Sequence, residues 1–147
     1  MKSRVTARMV LLSSLALLMA GAFAADSFTA PTIDAFKKTV RKYPYVAAAA
    51  RREKIRVGVP TLKRCMTSAE VRQIIGDPDF GYDTYRSGGG LSKRIWHYIL
   101  EKKEVLETEP ASSVVAWFDG GEKLQTVAVH GAPDIEAAIS RRNDPCP

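Results

Sequence analysis

What the chain has little of narrows its chemistry first. It has only two cysteines and two histidines in 147 residues. Neither histidine, His97 or His130, has a Cys or carboxylate neighbour at metal-ligand spacing, so no metal site is expected. Gly-x-Ser-x-Gly, paired-carboxylate and dinucleotide patterns are missing. The Gly88-Gly89-Gly90 run lacks a following Lys-Ser/Thr and opens no helix, so it reads as a flexible hairpin connection rather than a phosphate loop. A Cys65–His pair is the one nucleophile arrangement left, and a cysteine at a helix entrance is equally explained by packing or a bridge. No catalytic residue and no cofactor is expected.

Long apolar runs are also scarce. The one from Met9 to Ala20 is too short to span a bilayer. It follows Lys2, Arg4 and Arg8 and precedes Ala22-Phe23-Ala24, which is the pattern of a signal peptide, residues 1–24, cut after Ala24. No cysteine stands near that cut to carry a lipid. The reading is an exported periplasmic protein without a direct lipid anchor. Losing the three basic residues of the leader takes the net charge from +6 to +3. An exported chain with so mild a charge is not read as a nucleic-acid binder. About 123 residues remain, enough for one core.

What is present centres on Cys65 to Pro78. Thr67 and Glu70 have capping-box spacing at a helix start. Val71, Ile74 and Ile75 share one face of that helix. Gly76 suits a helix-closing residue, and Pro78 forbids continuation. Before this helix, Thr32 can cap a segment with Ile33, Phe36, Val40 and Tyr43 on one stripe, which Pro44 ends or kinks. Val46 to Lys54 is alanine-rich with strong helix propensity, and Ile55 to Pro60 reads as β-prone or irregular. After it come four strand-like stretches: Tyr82 to Ser87, Ile95 to Leu100, Val114 to Phe118 and Leu124 to His130. Lys102 to Glu109 reads as a charged hairpin tip and Asp119-Gly120-Gly121 as a tight turn. Pro133 opens a last helix with Ile135, Ala138 and Ile139 inward, and Asn143 to Pro147 is irregular.

The expected fold is therefore α+β, with short helices packed on one face of a three- or four-stranded antiparallel sheet. The expected division is a signal peptide (1–24), an N-terminal helical extension (25–54), an α+β domain (55–131), and a C-terminal helix and tail (132–147). The strands are apolar on both sides, and one helix layer covers only one. Trp117, Val115, Ile95 and Ile99 then form an exposed binding surface, unless a terminal helix covers them. Tyr82 and Tyr85 form a second candidate patch, or they close the sheet edge.

The segments CMTSAEVRQIIGDPD, RIWHYIL and VVAWFDGGEKLQTVAV together resemble the SmpA/OmlA (BamE-like) family. Met66, Thr67, Val71, Gly76, Pro78, Trp96, Tyr98 and Phe118 match its pattern over roughly residues 62–130. The similar fold of β-lactamase inhibitory proteins shares the helix-helix-sheet unit. Cys65 departs from the family's usual glycine, and the family's lipid-bearing cysteine has no counterpart. The resemblance implies a BamE/BLIP-like fold and a non-enzymatic interaction module of the envelope, its partner an envelope or outer-membrane assembly protein. An inhibitor or ligand-binding protein of the same fold is the alternative.

Two cysteines in an exported chain invite a Cys65–Cys146 disulfide. Closing a loop of about eighty residues would contribute about 4.5 kcal/mol at most in the chain-entropy model. The opposing reading is a buried free thiol and an exposed one.

Overall fold

The computed structural model describes residues 28–104 and 109–139. The leader, residues 105–108 of the hairpin tip, Cys146 and the tail lie outside them.

The central helix, α3 (Ser68–Ile75), has the ends its sequence requires. Thr67 Oγ1 accepts from the Glu70 amide at 3.2 Å, and Glu70 Oε2 accepts from the Thr67 amide at 2.6 Å. Gly76 closes it at φ 89°, a conformation other residues adopt only under strain. Val71 and Ile75 are fully buried and Ile74 is half-buried.

In chain order, α1 (Ile33–Thr39) leads to β1 (Tyr45–Val46) and α2 (Ala49–Gly58), which runs into a 3-10 turn, Val59–Thr61. After α3 come β2 (Phe80–Tyr85), β3 (Leu91–Lys102), β4 (Ser112–Asp119), β5 (Leu124–His130) and α4 (Pro133–Ile139). Thr32 caps α1 by accepting from the Ala35 amide.

The fold is α+β: the described residues form four α-helices and a five-stranded antiparallel sheet. One edge of β3 pairs along its length with β4, and β4 with β5. The other edge is shared. β2 takes the stretch from Leu91 to His97, while the two-residue β1 takes Glu101 and Lys102. At the seam, the Ile99 amide donates to Asp79 Oδ2 at 2.6 Å, and the Ala47 amide donates to Leu100 O. A carboxylate thus replaces a missing strand partner, satisfying an edge amide that is otherwise buried.

Two expectations from the N-terminal half change. Ile55 to Pro60 is not strand-like or irregular: it finishes α2 and forms the 3-10 turn. The β-branched residues there are helical because Ile55 and Val59, four apart, are buried against the sheet. The line drawn between 54 and 55 falls inside α2, and the segment before it contributes a strand as well as helices. Gly58 is needed where α2 meets α3, since a Cβ there would come within 2.7 Å of Ile75 Cγ2.

The main core lies between α2, α3, α4 and one sheet face, with Ile55, Val71, Ile75 and Ile135 against Trp96, Tyr98, Val114 and Phe118. The helix α1 instead reaches the opposite face, where Phe36 packs on Phe80 with ring centroids 5.8 Å apart.

Candidate functional site

The strand register sorts the candidate residues. In one row across the non-core face stand Phe80, His97, Val115 and Ala128; in the next stand Tyr82, Ile95, Trp117 and Thr126. Ile99, Ser113 and His130 make a third. The sequence therefore assigns Trp117, Val115, Ile95 and Ile99 to one face, but their exposure differs from expectation. Ile95, Ile99 and Val115 are only 5%, 2% and 6% exposed, so these three present no free surface.

An aromatic stack lies among them. Phe80 lies flat on His97 at 4.4 Å, Tyr82 stacks on the same imidazole at 5.9 Å, and Phe36 of α1 backs Phe80. The terminal-helix reading therefore describes one end of this face. At the other end Tyr82 is 54% and Tyr85 68% exposed, and Trp117 is half-buried. Trp117 and Phe118 line a groove of about 370 Å³ with Lys93, Asp119 and Thr126. Tyr85, beyond a bulge in β2, pairs with Leu91 and leads into the glycine hairpin.

His97 is a packing residue within this arrangement. Its Nε2 is buried without a hydrogen-bond partner, and burial pushes its pKa below the ordinary 6.5. The unfolded chain then takes up a proton before the folded one does, so stability is fully present above about pH 6.5 and falls as the solution is acidified below it. Replacing His97 by phenylalanine is expected to flatten the stability-against-pH curve between pH 7 and 5, read by urea denaturation. An unchanged slope would exclude His97 as its source.

A second set of polar groups near the sheet is committed to structure. Arg94 makes two bonds to Asp83, at 2.9 and 3.0 Å, and a third to Glu122 at 2.6 Å; Glu122 also accepts from Ser68 Oγ at the start of α3. This brace joins β2, β3, the β4–β5 turn and α3. Asp119 is held in that turn by the amides of Gly121 and Lys123. Cys65 and His97 do not meet as a nucleophile pair. The Cys65 amide donates to Leu124 O at the outer side of β5, two strands from His97. Among the described residues no group of three His, Cys, Asp or Glu is placed to hold a metal.

Sequence reasoning missed Phe80, the Arg94 brace and the Arg51–Asp79 pair at the seam. Phe80 was legible: it stands two before Tyr82 and so continues that strand's alternation. The ion pairs join residues distant in sequence and left no local signal.

No family model matches the chain, and no curated protein matches it. A solved structure of OsmE, described as an osmotically inducible lipoprotein, overlaps it at 16% identity with a TM-score of 0.37, covering 61% of this chain and 95% of that one. So loose an overlap carries no inference about fold or activity, and the SmpA/OmlA resemblance rests on the motif residues alone. No described helix is long and apolar enough to cross a membrane.

Proposed function

We propose that this protein is a non-enzymatic protein-binding module of the periplasm, which engages an envelope or outer-membrane assembly partner through the Tyr82–Tyr85–Trp117 end of its sheet. One observation carries the reading. Most of the non-core face is sealed, yet Tyr82 remains more than half exposed there, near a tryptophan-lined groove, and Tyr85 is exposed at the same end of β2. Tyr and Trp offer large, stiff contact area with a polar tip, which is why they recur at interfaces. The use of Arg94, Asp83, Glu122 and Asp119 in structural bonds supports binding over catalysis. The partner class comes from the motif resemblance and from the leader-like start of the sequence.

The test is photo-cross-linking in the intact envelope from a probe at Tyr82 or Tyr85, with a probe at the exposed Val57 on α2 as control. The two tyrosine positions are expected to capture the same protein and Val57 not to. Trp117→Glu should remove capture by at least tenfold while the circular dichroism spectrum stays folded. Tyr82→Glu serves the same purpose if Trp117→Glu unfolds. Equal capture from all three positions would refute the docking face. Capture of an enzyme whose activity is blocked would replace the assembly reading by the inhibitor alternative.

A further inference from the structure

Charge at the tyrosine–tryptophan end of the sheet is unevenly committed. In the strand register, Thr84, Lys93 and Asp119 form the row beside Tyr82, Ile95, Trp117 and Thr126, on the same face. The carboxylates at this end are taken. Asp119 Oδ1 accepts from the amides of Gly121 and Lys123, and its Oδ2 accepts from Gln125 Nε2 at 2.8 Å. Asp83, between Tyr82 and Thr84, gives both oxygens to Arg94, and Glu122 is shared by Arg94 and Ser68. The cations are not taken. Lys93 lines the Trp117 groove, and Arg86 follows Tyr85. Both are exposed, and among the described residues neither side chain has a hydrogen-bond or ion-pair partner.

Resting on the docking face described above, we propose its occupant: an extended segment of a partner protein that sets an apolar side chain against Trp117 and, two residues along, a Glu or Asp side chain on the Lys93 ammonium. Charge complementarity carries the choice. The uncommitted side chains at this end are aromatic or cationic, so a basic segment would meet Lys93 and Arg86 with no free carboxylate to balance them. Spacing agrees. Lys93 and Trp117 are diagonal neighbours across β3 and β4, which puts their Cβ atoms about 7 Å apart. Side chains i and i+2 of an extended peptide stand on one side at nearly the same separation, about 7 Å, whereas i+1 points away. Because Lys93 is exposed, its ion pair selects the partner more than it tightens the complex, changing affinity by up to about fivefold.

Three end-blocked pentapeptides serve as probes: Thr-Phe-Thr-Glu-Thr, the same peptide with Lys for Glu, and Thr-Phe-Glu-Thr-Thr. Binding to the full chain is followed by NMR through the Trp117 indole N–H and the amides of Lys93 and Thr126. The first peptide is expected to bind about threefold more tightly than either control. Lys93→Glu should reverse its advantage over the lysine peptide, and Lys93→Gln should abolish it, which keeps the test available if the charge reversal folds poorly. Equal binding of the Glu and Lys peptides, a preference untouched by the Lys93 variants, or no shift at Trp117 with any peptide would overturn the acidic occupant. Equal binding of the first and third peptides would overturn the two-residue spacing. The docking face itself is judged separately, by capture from Tyr82 and Tyr85 and its loss in Trp117→Glu.

Discussion

Replacing Phe118 by alanine is expected to cost about 3–5 kcal/mol of folding stability, the range for truncating a fully buried aromatic side chain. Phe118 is 1% exposed and meets the Trp96 ring edge-on at 4.7 Å, with Trp96 itself 1% exposed. The loss has two sources: removal of apolar surface from contact with the core, and a void beneath Trp96 that a rigid sheet refills poorly. Phe118→Leu, which restores most of the volume, should recover more than half of it. Thermal and urea denaturation of the three proteins decide the matter. An unaltered midpoint for the alanine variant would mean that the ring is not in the core and that the face assignment of β4 is inverted.

The second large effect belongs to the seam in the β3 edge. Asp79→Ala is expected to cost about 2–3 kcal/mol, because it removes the acceptor of the Ile99 amide and the 3.0 Å partner of Arg51 together. The figure is kept below that of a fully enclosed pair because Arg51 is about a quarter exposed and also donates to Asp77 O. Asp79→Asn should cost less than about 1 kcal/mol, since its carbonyl oxygen can still accept from Ile99. The reason lies in the carboxylate itself. Burial raises its pKa, outweighing Arg51 and the Ile99 amide, which lower it. The folded chain thus holds that proton more tightly than the unfolded one, and Asp79's contribution declines as pH rises from the ordinary 3.8 through its higher folded value. Chemical denaturation at pH 7 separates the two variants. Equal losses for Ala and Asn would show that charge, not the amide bond, maintains the seam.

These effects divide along the line between what the sequence states locally and what only the fold assembles. Thr67, Glu70, Gly76 and Pro78 write the ends of α3 into adjacent residues, so that helix was legible. Alternation of apolar residues made β3, β4 and β5 equally plain, and Leu124–His130 has the expected bounds. The same alternation was ambiguous about faces, because both sides of β3 and β4 are apolar. It could not show that Ile95, Ile99 and Val115 would be buried around His97, whereas Tyr82 and Tyr85 stay exposed. The two-residue β1 carries no periodicity, and Asp79 looks like a turn residue until β1 and β2 leave Ile99 between them. At the candidate site, accessibility was decided by side chains from distant segments, which no local pattern in the sequence records.

The path of residues 28–36 around β2 has a consequence for how the molecule opens. Phe28 packs against Trp96 on the core side, beneath the Arg72 guanidinium 3.6 Å from its ring, while Phe36 meets Phe80 on the other side. Between them Pro31 O accepts from the Gly81 amide at the strand's outer edge. The segment works as a two-jawed clip. The Pro31–Gly81 bond lies between the two jaws, so a foreign strand adding to β2 at Gly81 must first displace a segment held by an aromatic ring on each face. By occupying the outer edge of β2 at Gly81, the clip guards the monomer against edge-to-edge sheet growth on that side.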